Sequence, residues 1–438
     1  MDQQLLITLA VSVGLIGLLL AGVWIFAAML MVSMVGLFVY SDYSMVRIGS
    51  MLQSVQWRAL TSFELASLPL FVWMAEILFR TRLSEQLFRG LAPLVHWLPG
   101  RLLHGMVIAC GIFGSVSGSS AATCATISKI ALPELEKRGY DEGLVIGGLC
   151  AGGTLGILIP PSIVMVIYAV AAEVSLIKLM LAGLLPGALM MALFSGYIVV
   201  WSLLHPERAG GGDRIHSGSV WREIAQLGPI SMLLLFVFGA LFAGWITATE
   251  CAAWGVLGAL LIALHSRTLD WPMFRDSVKA TVRTSCMILI LIAAAAFISS
   301  FLAIAGIPKA VASMVGGLNL GPWAVIFALT VVYILLGVFL DGISMILLTL
   351  PVVLPIIKAA GFDPLWFGIF LIICIEMAEL SPPVGFNLFV LQSMTGKNVF
   401  TIGRMSLPFF LLMIATAILI TIWPQIVMVV PDLYGATK

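Results

Sequence analysis

Apolar runs of about 20 residues, the length of helix that crosses a bilayer's hydrocarbon core, recur along nearly the whole chain. They predict ten membrane spans, at 5–20, 22–40, 60–80, 142–173, 176–204, 224–245, 247–266, 281–303, 363–394 and 399–424. Two further apolar stretches are interrupted at their middles. Residues 101–138 carry Gly114, Ser115, Ser117, Gly118, Ser119 and Ser120 there, and residues 323–358 carry Gly337, Asp341 and Gly342. Each half is about 14–19 residues, or ~21–28 Å of helix. Both stretches are therefore read as re-entrant hairpins, the alternative for each being two ordinary spans joined by a tight turn. Ahead of the first hairpin, Leu83, Leu87, Leu91, Leu94 and Leu98 recur at helical spacing opposite Glu85, Gln86 and Arg89. That pattern predicts a helix lying in the membrane interface, with a counterpart near 307–319. The segment 205–222, with three consecutive glycines at 210–212 and a cluster of charges, is the one real linker.

The two sides of this linker resemble each other. At an offset of 222 residues, Pro133, Pro160, Pro161 and Pro186 fall on Pro355, Pro382, Pro383 and Pro408, and Gly139 and Asp141 fall on Gly361 and Asp363. Internal repeats of this kind mark transporter folds. Each copy holds five spans and one hairpin, and because five is odd the second copy must enter the membrane upside down. The expected fold is an all-α polytopic membrane protein. Residues 1–204 form a first inverted repeat with its hairpin near 101–138, 205–222 a cytoplasmic linker, and 223–438 a second repeat with its hairpin near 323–358. Of the 22 Lys and Arg, 16 fall on the side that carries the ends of the first hairpin. By the positive-inside rule that side is cytoplasmic and both termini are periplasmic. The start, with Asp2 and no basic residues before the apolar run, is expected to be a retained helix and not a cleaved signal.

Composition agrees with a membrane protein and removes other options. The chain is 61% hydrophobic and 10% charged, against about 45–50% and 25% in soluble domains. A formal net charge of +1 leaves no basic excess for nucleic acid. The six cysteines form no CxxC pair and the five histidines are dispersed, so neither a disulfide framework nor a metal site is expected.

Candidate chemistry gathers where helices break. Irregular backbone at membrane depth survives only when buried in protein or lining a cavity. Four breaks are expected: the two hairpin tips, Ile159 to Ser162 with Pro160 and Pro161, and Leu380 to Gly385 with Ser381, Pro382 and Pro383. Half-helix N-termini suit an anionic substrate, and freed carbonyls suit a cation such as Na+. The hydroxyls of Ser115, Ser117, Ser119 and Ser120 add ligands without bulk. An ionisable residue inside a span is a functional candidate by default. Asp341 lies in the second tip, as an ion ligand or a helix cap. Glu376 and Glu379 share a helix face, either as a proton site or as protonated packing residues. Glu76 and Glu250 lie near span ends, and His104 reads as packing.

At these residues the chain resembles a known family. GSVSGSSAAT at Gly114–Thr123, IPPS at Ile159–Ser162, LDGISMILLTLPVVLP at Leu340–Pro355 and SPPVGFNLFVL at Ser381–Leu391 are similar to the large membrane subunit, DctM, of TRAP transporters. The resemblance implies an ion-transporter-type elevator fold in a bacterial or archaeal cytoplasmic (inner) membrane. It implies Na+ as coupling ion and no cofactor. Organic acids such as C4-dicarboxylates or sialic acid would be the cargo. It also implies two partners, a four-span small membrane subunit (DctQ-like), expected as a separate chain, and a periplasmic substrate-binding protein (DctP-like). Carried over by motif, one Na+ site lies between Ser117, Gly118, Ser119 and Ser120 and the break at Pro160 and Ser162. The other lies between Gly337 and Asp341 and the break at Ser381, Gly385 and Asn387. Cargo is expected between the tips, with Ser115, Ser119, Ser120, Gly342, Pro161 and Pro383 as candidates. Two departures stand out: Ser381 where the family commonly has Thr, and Glu379 where an apolar residue is expected.

Two other readings compete. A stand-alone divalent-anion/Na+ symporter on a similar inverted repeat would need no binding protein. An intramembrane enzyme would need a motif such as HExxH or GxSxG, and the chain has neither.

Overall fold

The computed structural model describes residues 2–210, 220–317 and 321–436. Most of the linker expected at 205–222, from 211 to 219, lies outside these residues, as does the end of the amphipathic stretch at 318–320. Every regular element described is helical. The first half runs α1 (Asp2–Leu20), α2 (Ile25–Tyr40), α3 (Met45–Leu60), α4 (Ser67–Phe79), α5 (Leu83–Val95), α6 (Leu102–Ser117), α7 (Ser120–Lys137), α8 (Glu142–Leu158), α9 (Ile163–Ala172) and α10 (Leu176–Leu204). After the short α11 (Val220–Ala225) come α12 (Gly228–Phe242), α13 (Ala248–His265), α14 (Trp271–Ile304), α15 (Ile307–Gly317), α16 (Pro322–Leu336), α17 (Gly342–Ala359), α18 (Pro364–Glu379), α19 (Phe386–Thr395), α20 (Val399–Ile422) and α21 (Gln425–Ala436).

Helix boundaries recur at the 222-residue offset, because the residues that end and begin helices recur. Gly139 (φ +73°) and Gly361 (φ +84°) take the left-handed conformation that closes α7 and α17, which L side chains disfavour. Asp141 and Asp363 then cap the next helices, accepting from Leu144 N at 3.0 Å and from Leu365 N at 2.6 Å.

Where the halves differ, sequence patterning had missed an element. The first half holds the amphipathic α3, a 3-10 turn at Phe63–Ala66 and α4, bent by 58°. The second half replaces all three with the unbroken α14, which starts ten residues before the expected span at 281–303. Residues 45–60 mix Arg47, Gln53, Gln56 and Arg58 with apolar positions, so no apolar run announced α3. The terminal α21 was likewise unannounced. Six described helices are long and apolar enough to cross a membrane, or eight if the bent pairs α3–α4 and α8–α9 each count once. Helices α1 and α2 are shorter apolar helices.

The centre is built on α8 and α18. Every residue of α8 from Leu144 to Leu158 and of α18 from Leu365 to Ala378 is buried. Lipid is as apolar as Leu, so helices associate in a bilayer through close packing more than through transfer from water. Small residues permit that approach. A Cβ added at Gly114 of α6 would stand 2.4 Å from Gly156 Cα, and one at Gly147 would stand 2.3 Å from the Met405 carbonyl oxygen of α20. Helices α6 and α7 pack on each other and on α8.

Candidate functional site

Two helices break at paired prolines, and the breaks release carbonyls. A proline has no N–H to give to the carbonyl four residues back, so Pro160 and Pro161 leave the oxygens of Gly156 and Ile157 without their helical donors. Pro382 and Pro383 do the same for Ala378 and Glu379, although Ser381 N takes up the Ala378 carbonyl at 3.1 Å. The peptide bonds Pro160–Pro161 and Pro382–Pro383 are both cis. Each hairpin docks on the freed turn of its own half. Gly114 packs on Gly156, and a Cβ at Gly337 would stand 2.1 Å from Ala378 Cβ. Positions 156 and 378 are 222 apart.

The first tip is the two residues Gly118 and Ser119. Gly118 adopts φ +59° and gives its N–H to the Gly114 carbonyl at 2.8 Å. Ser119 caps α7, its Oγ accepting from Ala122 N at 3.4 Å. Ser117 Oγ sits 2.7 Å from Thr123 Oγ1, and Thr123 Oγ1 donates to the Ser119 carbonyl at 2.8 Å. A Cβ at Gly118 would stand 2.9 Å from Ile163 Cγ1. The structure thus brings the tip to the start of α9, which Ser162 caps through Met165 N at 3.5 Å. Ser115 turns away, donating to the Ile112 carbonyl of its own helix at 2.8 Å. Pro160, Pro161 and Ser162 are all buried.

The second tip is longer, Gly337 to Asp341. Asp341 caps α17, accepting from Ile343 N at 3.2 Å and from Ser344 Oγ at 2.5 Å. It stands 222 positions from Ser119, so the same cap is a hydroxyl in one half and a carboxylate in the other. Gly342 packs on Ile375. Ser381 Oγ donates to the Met377 carbonyl at 2.9 Å. Unlike their counterparts, Pro382 and Pro383 are exposed.

Asn387 links the two units. Grouped by motif with the second tip, it reaches the first: its Nδ2 donates to Ser120 Oγ at 2.7 Å and to the Cys150 carbonyl at 3.0 Å. The half-helices cross over, α19 packing on α7 and α9 on α17. Glu379 joins the same place. Its carboxyl lies beside Ser120 of the first tip and within electrostatic reach of Asp341 of the second, and a Cβ at Gly385 would stand 2.4 Å from its carbonyl oxygen. Glu376, fully buried, faces Glu379.

The remaining acids are structural. Glu76 pairs with Arg80 one turn on. Glu250 forms a capping box with Thr247. His104 Nε2 meets the Pro99 carbonyl at 2.6 Å and stays in the packing. Sequence reasoning passed over Gly156, Ala378, Thr123 and Ser344. The small residues at 156 and 378 share the 222 offset that already paired the prolines, a signal that could have found them.

A tight two-residue tip, a longer acidic tip and two proline breaks thus meet around Ser120, Glu379 and Asn387. The family model for the DctM component of tripartite ATP-independent periplasmic transporters matches residues 12–426. The chain is 31% identical over 379 residues to the C4-dicarboxylate TRAP transporter large permease protein DctM of Pseudomonas aeruginosa, covering 85% of this chain and 87% of that one. It is 28% identical to the isethionate permease DctMQ of Oleidesulfovibrio alaskensis, covering 85% and 59%. Identity is also 28% with the ectoine/5-hydroxyectoine permease UehC of Ruegeria pomeroyi, covering 84% and 86%. These relatives are named as transporter permeases, not enzymes. In fold the chain is similar to the YdaH transporter of Alcanivorax borkumensis, with a TM-score of 0.63 at 15% identity over 86% of this chain and 87% of that one. With a family match over nearly its whole length and breaks at the motifs that carry it, the chain belongs to the DctM family, the large permease subunits of TRAP transporters.

Proposed function

We propose that this chain is the translocating subunit of a Na+-coupled, binding-protein-dependent importer of organic acids. The observation that carries the reading is the crossover at the centre, where both tips and both proline breaks meet with half-helices exchanged between halves. Helix ends that converge there offer two kinds of ligand. The N-termini of α7 and α17 present partial positive charge to a carboxylate. Carbonyls released at Gly156, Ile157 and Glu379, with nearby hydroxyls, are hard oxygen donors suited to Na+. The names of the relatives make carboxylates and other small organic anions the leading cargo class, with ectoine as a zwitterionic case.

The movement proposed is an elevator. Helices α6–α10 and α16–α20 carry the site, and α1–α4 with α12–α14 form the frame. Helices α5 and α15 each precede a hairpin and act as arms between body and frame. In this arrangement the second repeat is inverted, the linker is cytoplasmic and both termini are periplasmic. Labelling of a cysteine placed at Gly211 by an impermeant reagent outside intact cells would overturn that orientation.

Reconstitution tests the whole reading. Proteoliposomes holding this chain alone should show little Na+-driven uptake, and adding the small membrane subunit and the loaded binding protein should restore it. Robust uptake of free substrate by the chain alone would favour the stand-alone symporter.

A further inference from the structure

Helix α14 carries an exposed basic face into the membrane. Its 34 residues make ~51 Å of helix against ~30 Å of hydrocarbon, so its first turns stand outside the apolar layer. Arg283 closes those turns, because from 284 to 308 the chain has no charged residue. At about 100° per residue, Arg275, Lys279, Val282, Arg283, Cys286 and Ile290 fall within about 100° of arc, and all six are exposed. Ser277, Thr281, Ser285 and Ile288 form the opposite, buried face, which meets α4 where Trp73 Nε1 donates to Ser277 Oγ at 3.2 Å. One face thus runs from three cations directly into apolar side chains that lie at acyl-chain depth.

The acids beside this face already have partners. Asp276 Oδ1 pairs with Arg275 Nη2 at 3.2 Å. Glu76 pairs with Arg80, which also donates to the Asp276 carbonyl at 3.5 Å. Among the described residues, Lys279 and Arg283 meet no carboxylate. The repeat does not impose these charges either. At the 222-residue offset, positions 275, 279 and 283 fall on Gln53, Trp57 and Thr61, which are exposed along α3 and its C-cap and are neutral. The positive-inside rule asks for cations near one membrane face; it does not ask for a row of them on one side of a helix leading into the bilayer.

We propose that this face of α14 binds an anionic phospholipid, its phosphate held between Lys279 and Arg283 and its acyl chains lying along Val282, Cys286 and Ile290. A guanidinium gives a phosphate two parallel N–H bonds, and an ammonium adds a point charge. A zwitterionic lipid brings its own cation to its phosphate and gains less from this pair. A soluble anion would engage the two cations but not the apolar half of the face. The lipid's place in the cytoplasmic leaflet rests on the proposed orientation, whereas the site itself does not. In the elevator reading α14 belongs to the frame, so the headgroup fixes the depth of the part that stays still.

Cys286 supplies the probe, since it is exposed and the other five cysteines are buried. The full chain, co-purified with its small subunit and labelled there with a bimane, is placed in phosphatidylcholine nanodiscs. Dibrominated phosphatidylglycerol or dibrominated phosphatidylcholine is then added as quencher. The anionic lipid should bind about fivefold more tightly by quenching, the worth of roughly one basic residue at a membrane surface. That preference should fall to about one in Lys279→Gln/Arg283→Gln and shrink in 1 M salt, where the Debye length is ~3 Å. Lys279→Arg/Arg283→Lys keeps both charges and should keep the preference; it serves, with the salt series, if the neutral variant does not fold. A label at Thr61→Cys in a Cys286→Ser background should show no preference. Equal quenching by the two lipids in the wild-type protein overturns the proposal. So does the absence of quenching by either, which would show that the small subunit covers this face. Loss of the preference on adding inorganic phosphate at constant ionic strength would assign the cations to a soluble anion and overturn the lipid. These readouts need no transport, so failure of the uptake reading would leave them standing.

Discussion

The two hairpin-and-break units share a topology and divide the chemistry. In the first, α6 is buried along nearly its whole length, the tip is two residues, and the break at Pro160 and Pro161 is enclosed. Its polar groups are hydroxyls that bond one another. In the second, α16 turns Trp323, Phe327 and Leu335 outward, and Phe339 of the tip is exposed as well. There α16 and α17 diverge, bridged at Tyr333 Oη and Thr349 Oγ1 at 2.8 Å. The second tip spans five residues, its cap is Asp341, and the broken helix on which it docks, α18, carries Glu376 and Glu379. Repeating a fold repeats the places where backbone groups are freed, but not the side chains set there. At the tips and breaks, carboxylates stand only in the less enclosed unit, and few buried contacts make for lower local opening energy.

The largest effect should come from fixing the enclosed unit to the frame. Phe113 of α6 meets Phe79 of α4 with ring centroids 5.6 Å apart. A Phe79→Cys/Phe113→Cys pair bridged by a thiol cross-linker should abolish uptake, and its reversal should restore it. Full activity with the bridge proven closed would place the first hairpin in the static frame.

Glycine contacts separate the units by how each can be repaired. Gly114→Ala puts a Cβ against backbone that is already glycine, and should lower stability by about 1–3 kcal/mol or more with no partner left to shrink. Gly337→Ala meets the Cβ of Ala378, so adding Ala378→Gly should recover much of the loss. Thermal unfolding followed by tryptophan fluorescence would show it; equal rescue failure at both sites would erase the distinction.

The caps differ in charge, so their variants should differ in kind. Asp341→Asn keeps an acceptor for Ile343 N and should unfold near the wild-type temperature. It removes a negative charge at the second tip, and a shift of about tenfold in the Na+ concentration for half-maximal uptake is expected, or ~1.4 kcal/mol. An unchanged Na+ response would leave Asp341 as a cap alone. The smallest effect belongs to Ser119→Ala, about 1 kcal/mol of stability from a lost N-cap. Uptake should persist, and a Na+ response altered as strongly as in Asp341→Asn would show that the first tip's hydroxyl cap matters to the ion as much as the second tip's carboxylate.

Much of this was legible along the chain. Apolar runs marked the helices because lipid demands that length, and each of the ten expected segments holds a helix or a broken one. Pro160, Pro161, Pro382 and Pro383 marked the breaks because a missing N–H is visible in the sequence. Helix α3 was hidden because an amphipathic segment lying beside the apolar runs has no length requirement of its own. The bond from Asn387 to Ser120 was not legible, because motif proximity grouped Asn387 with the second tip and Ser120 is 267 positions away.

Membrane class, the offset repeat that pairs Asp141 with Asp363 and the four breaks were determined by sequence alone. Each depends on a few neighbouring residues and on backbone chemistry that acts locally. Only the tertiary structure decided that the half-helices cross between halves and that one break is enclosed while the other is exposed. It alone placed Glu379 beside Ser120 and within reach of Asp341. Those outcomes depend on which surfaces pack most closely, and in a bilayer that choice is made by small residues such as Gly114 and Gly156 meeting across the fold, where no local pattern reports the partner.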